Sequence, residues 1–139
     1  MVRYTVQSFL LCVVCVQGRI AEADDWISLF DGKTLTGWRT TSKSPHSKAS
    51  GNKTGGEWRV QDGAIWGTQD TPGNGGLLIT EAEYGDFEIV VETNNDFGPD
   101  SGLFMRCTED GKAYQCLIDY HVGGTVGGIL GEGIGIAGA

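Results

Sequence analysis

The sequence predicts an all-β protein. Glycine and other turn residues interrupt it about every ten residues, and no apolar pattern with a 3.6-residue period runs for any length. Two segments carry strand signatures outright. Asp62-Gly63 stands between two short apolar runs, the strongest short-range hairpin signal, and Phe87 to Thr93 alternates apolar and polar residues strictly.

In chain order, residues 1–23 read as a secretion leader. Arg3 supplies a positive start, Ser8 to Val16 is an apolar run far too short to span a bilayer, and Ala21-Glu22-Ala23 offers a small-x-small cleavage pattern. The domain then covers 24–139, and the expected location is exported, periplasmic or extracellular. The whole chain carries a net charge of −8. Without the leader, 8 basic residues face 17 acidic ones, an excess that repels phosphate backbones and argues against nucleic-acid binding. No second apolar run reaches transmembrane length.

Trp26 to Phe30 is expected as a first strand, closed by a turn at Asp31-Gly32, with Leu35 to Arg39 bringing Trp38. Thr40 to Gly56 is rich in Ser, Lys and Gly and reads as a mobile surface loop. It contains His46, taken as solvated, and the glycosylation sequon Asn52-Lys53-Thr54. The Asp62-Gly63 hairpin sets Val60 opposite Ile65 and Arg59 opposite Trp66. Leu77 to Thr80 and Phe87 to Thr93 follow as strands. Gly102 to Cys107 and Tyr114 to His121 make a last hairpin. From Gly123 eight glycines fall among the final 17 residues, and the sandwich is expected to be incomplete at its C-terminus.

Cys107 and Cys116, with eight residues between them, suit an exported domain with one disulfide; two free thiols satisfy the spacing equally. With an even number of loop residues, alternation on the last hairpin groups Arg106, Gln115, Asp119 and His121 on one face; an odd number breaks the grouping. Leu103, Met105, Cys107, Tyr114 and Cys116 fall on the other face, which is expected to face the core. His121 suits proton transfer near neutral pH, Asp119 can orient it or act as the base, and Arg106 can stabilise an oxyanion. An Arg–Asp surface ion pair beside a capping histidine accounts for the same pattern. Asn94-Asn95-Asp96 with Asp100 lacks an EF-hand spacing and reads as a turn. Trp26, Trp38, Trp58 and Trp66 could stack on sugar rings or fill a core.

Taken in order, Trp26 to Trp38, Trp58 to Ile65, Leu77 to Thr80 with Tyr84 to Glu88, Ser101 to Arg106, Tyr114 to Asp119 and Gly127 to Gly131 resemble the 3-keto-disaccharide hydrolase domains. The resemblance implies a concanavalin- or laminin-G-like jelly roll with a sugar cleft on its concave face. It also implies cleavage of 3-keto-glycosides: a base removes the C2 proton, the C1 substituent is expelled, and water adds back. On that basis His121 or Asp119 is expected as the base, Arg106 as enolate stabiliser, and Gln115 and Ser101 as positioning groups. A divalent metal could share the stabilising role. The same fold equally hosts noncatalytic carbohydrate-binding modules or an adhesion module.

Overall fold

The computed structural model of the 139-residue chain describes residues 2–3, 26–97 and 100–135. Every strand pairing among them is antiparallel, and the sole helix is one short 3-10 segment, so the protein is all-β. The expected leader lies outside the described residues apart from Val2–Arg3 (β1), as does the end of the glycine-rich tail beyond 135.

The strand expected over Trp26 to Phe30 does not form. That stretch is irregular, held by the Trp38 indole N–H donating to the Leu29 carbonyl (2.7 Å) and by Ser28 Oγ donating to the Phe30 carbonyl (2.8 Å). Asp31 then builds the expected turn by accepting from the backbone N–H groups of Lys33 and Thr34 at 2.8 and 2.7 Å. Those bonds, Thr34's first, hold its carboxyl below the usual range.

Trp38–Thr41 (β2) pairs with Leu77–Thr80 (β5), from Trp38 opposite Thr80 to Thr41 opposite Leu77. Between them the segment expected as a mobile surface loop is packed. It contains the 3-10 helix Pro45–Ser50, opened by Pro45 and closed by Gly51 in the left-handed region, and it buries Ser44 and Ser47 completely. Its anchor is Asn74, also fully buried. Asn74 Nδ2 donates to Thr54 Oγ1 (2.8 Å) and to both Asp70 oxygens (2.9 and 3.1 Å), while its Oδ1 accepts from the Ser50 N–H (3.0 Å). One amide thus satisfies the polar groups of two loops that would otherwise be buried without partners. The Asn52 amide of the sequon is likewise engaged, donating to the Ser42 and Ser44 carbonyls at 2.7 and 3.1 Å.

Glu57–Gln61 (β3) and Ala64–Thr68 (β4) form the expected hairpin in the expected register, with Val60 opposite Ile65 and Arg59 opposite Trp66. Asp62 and Gly63, at φ 52° and 72°, form the two-residue turn whose left-handed backbone matches strand twist. Of the strand expected over Phe87 to Thr93, only Glu92–Thr93 (β6) enters a ladder, and its partner is β1, which lies between β4 and β6. Alternation made residues 87–91 suitable for a strand, but pairing needs a neighbouring edge as well. The segment therefore runs beside the sheet without entering its ladder, with Phe87 44% exposed.

Gly102–Met105 (β7), Ala113–Ile118 (β8) and Val126–Glu132 (β9) make the third sheet. Leu103 stands opposite Cys116, Phe104 opposite Gln115 and Met105 opposite Tyr114. These residues group as expected, but the faces are reversed. Ala113 and Gln115 are 2% and 5% exposed, whereas Tyr114 is 40% exposed. Small Ala113 and the hydrogen-bonded Gln115 amide pack inward, and the wide, amphipathic Tyr114 keeps its edge in water. This register also excludes the suggested disulfide. Leu103, not Cys107, faces Cys116, so Cys107 lies at the opposite end of the hairpin and both thiols are free. Burial pushes the Cys107 thiol up, with the Asp110 charge adding to it. Glu109 ties the hairpin's turn back to β2, pairing with Arg39 (2.6 Å) and Lys43 while its carbonyl accepts from Thr41 Oγ1 (2.8 Å).

The candidate functional site

An open cleft of about 1950 Å³ runs along the sheets. Its walls include Trp26, Trp38, Trp58 and Trp66 together with His46, Asp100, Ser101, Phe104, Arg106 and Gln115. Because β7 and β8 are antiparallel, the start of one lies beside the end of the other: the Ile118 N–H donates to the Ser101 carbonyl at 2.9 Å. That geometry brings Asp100 and Asp119, far apart in the chain, side by side.

The Asp119 carboxyl adjoins that of Asp100. This contact first, then burial and the Asp119 charge, raises the Asp100 carboxyl above the ordinary range, while the charges of His46 and His121 pull it down. A carboxyl beside a second carboxyl keeps its proton to a higher pH than an isolated Asp does. Asp100 is exposed at the cleft and Asp119 lies behind it, half-buried. Among the described residues Asp119 Oδ1 is buried without a hydrogen-bond partner.

The surroundings are fixed by close packing. Gln115 Nε2 reaches the Ser101 carbonyl at 3.4 Å, and Gly102 leaves it room, since a Cβ there would stand 2.3 Å from that nitrogen. Asn95 Nδ2 donates to the Ile118 carbonyl at 3.1 Å. Beyond β8 the chain turns tightly: the Asp119 N–H bonds the Thr125 carbonyl (3.1 Å), and Gly124 lies so close that a Cβ would meet the Asp119 carbonyl oxygen at 2.3 Å. His121 sits on this turn, exposed, its Nδ1 3.1 Å from the Val122 carbonyl.

Of the residues singled out from sequence, Ser101, Gln115, Asp119 and His121 therefore cluster at one end of the hairpin. Arg106 stands at the other, ion-paired with Asp86 at 3.0 Å, about 20 Å from Asp119 at ~3.3 Å of strand per residue. It lines the cleft there and also borders a smaller hollow of about 270 Å³ with Asp86, Phe87, Met105 and Tyr114. Two members of the site were missed. Asp100 directly precedes Ser101 but falls in a stretch whose composition reads as a turn. His46 arrives through the packed 3-10 helix and carries no signal in its own neighbourhood. Among the described residues no group of three or more His, Cys, Asp or Glu side chains is arranged to hold a metal ion, and no helix is long and apolar enough to cross a membrane.

The chain is similar to a 3-keto-disaccharide hydrolase of Bacteroides thetaiotaomicron, 32% identical over 93 residues; the alignment takes in 63% of this chain and 29% of that protein's length. No solved structure matches it. Residues 25–135 match the model of the 3-keto-alpha-glucoside-1,2-lyase-like domain, and the chain belongs to that family.

Proposed function

We propose that this domain acts on 3-keto-glycosides, with the Asp100–Asp119 pair as the base that removes the C2 proton. The observation that carries this reading is Asp100 on the cleft wall with Asp119 set beside it by the pairing of β7 and β8. A ketone at C3 acidifies C2–H. When that proton passes to Asp100, the C2–H electrons form an enolate and the C1–O bond breaks. The transferred proton stays on Asp100, whose carboxyl the neighbouring Asp119 raises, which suits it to the task. Water then adds at C1, C2 is reprotonated from the pair, and the balance is hydrolysis. In this reading Gln115 and Ser101 position the ring hydroxyls. Export through residues 1–23 belongs to the same proposal.

Release of 3-keto-glucose from a 3-keto-glucoside tests it. The wild type is expected to turn over. Asp100→Asn should lose about 100-fold or more in kcat, and Asp119→Asn should shift the acid limb of the pH profile downward, because Asp100 loses the partner that raises it. The tryptophan-lined cleft favours a second reading, a noncatalytic carbohydrate-binding module. Folded wild type that releases nothing but is retained on a column of unoxidised glycan would decide for that one.

A further inference from the structure

The elimination expels an alkoxide from C1, and a sugar alkoxide departs slowly unless it is protonated. We infer that His46 is the acid that supplies this proton. The inference rests on the reading above and assigns a residue that sequence analysis left as solvated.

Two contacts show that His46 is placed rather than free. Its backbone carbonyl accepts from the Gly75 N–H at 3.1 Å, in the junction that Asn74 organises. Its ring meets Phe104 edge-on, centroids 5.9 Å apart at 89°. Phe104 is the cross-strand partner of Gln115, so the contact sets the imidazole over the Gln115–Ser101 part of the cleft. Pro45 opens the helix and Gly51 closes it, which fixes the turn that presents the ring.

His46 lies near the Asp100 carboxyl, which feels its charge together with that of His121 on the turn after β8. Lys43 and Lys48 lie on its own segment, and Lys43 is engaged by Glu109. The base and His46 thus enter the cleft from different elements, as removal of a proton at C2 and delivery of one at C1 require. The step balances without a further reactant. His46 as imidazolium gives its proton to the departing oxygen and becomes neutral; the water that later adds at C1 returns a proton to it.

The experiment compares wild type, His46→Ala and His46→Gln on two substrates. One is a 3-keto-disaccharide, whose leaving group is a sugar. The other is a p-nitrophenyl 3-keto-glucoside, whose leaving group needs no proton. Both variants are expected to slow the disaccharide about 100-fold, to lose the alkaline limb of its kcat/KM profile, and to turn over the aryl substrate within about threefold of wild type. His46→Gln keeps a planar side chain against Phe104, so its agreement with His46→Ala separates lost proton transfer from lost packing. Equal losses on both substrates, or none on either, overturn the inference while leaving the proposed reaction intact. A wild type inactive on both removes the reaction itself and the role of His46 with it.

Discussion

Replacing Asn74 tests whether one buried amide organises the segment that carries His46. In Asn74→Ala the Ser50 N–H loses its acceptor, and Thr54 Oγ1 and the Asp70 carboxylate each lose a donor. A buried N–H left without a partner costs roughly 1–3 kcal/mol, and the remaining lost bonds about 1 kcal/mol more. The expected loss is therefore about 3 kcal/mol. With a urea m-value of about 2 kcal/mol/M, the unfolding midpoint falls by about 1.5 M. Asn74→Asp sharpens the test, since one carboxylate oxygen still accepts from Ser50. The other replaces an N–H₂ that stood 2.9–3.1 Å from the Asp70 oxygens, bringing two anions together. The new pair's folded-state pKa is raised, so the variant should be as unstable as Asn74→Ala near pH 7 and recover as the pH falls and a proton bridges the two groups. A midpoint shift under about 0.3 M for Asn74→Ala, or an Asn74→Asp variant as stable as wild type at pH 7, would refute this account.

Asp70 itself is held at about 2, against 3.8 for an unperturbed carboxyl, by the Thr54 hydroxyl first and by the Asn74 and Gly73 N–H groups, with burial opposing them. A depressed pKa contributes stability that is full above pH 3.8 and is lost as the pH falls towards 2. Asp70→Asn should flatten that part of an acid-unfolding curve. Gly76 sits at φ +65° with the Gly55 carbonyl oxygen 1.7 Å from where a Cβ would be. Gly76→Ala must displace backbone and should cost at least ~3 kcal/mol by urea unfolding, well above the ~1 kcal/mol of an ordinary Gly→Ala strain. In a protein carrying Cys12→Ser and Cys15→Ser, unreduced Cys107 and Cys116 should titrate as two thiols, and reductant should leave Tm unchanged.

Local chemistry was legible wherever a few adjacent residues decide the outcome. Asp62-Gly63 specifies a turn with two left-handed residues, and that turn sets the register of the whole β3–β4 hairpin. The pairing of β7 with β8, and hence the proximity of Ser101, Gln115 and Asp119, followed from alternation. Other outcomes needed partners remote in sequence. Residues 87–91 alternate correctly yet find no edge, and Trp26 to Phe30 is held by Trp38 instead of a neighbouring strand.

By itself, then, the sequence determined the all-β class, the hairpin turns and one cluster of polar residues at the end of β8, because turn preference and strand alternation act over only a few residues. Tertiary structure decided which face of β8 is buried, which residue stands beside Asp119, that His46 reaches the cleft, and that Arg106 lines it while ion-paired with Asp86. Those depend on packing against segments dozens of positions away: Asp100 meets Asp119 through antiparallel pairing, and His46 meets Phe104 because Asn74 fastens two loops together. A local pattern contains no term for contacts at that distance in the chain.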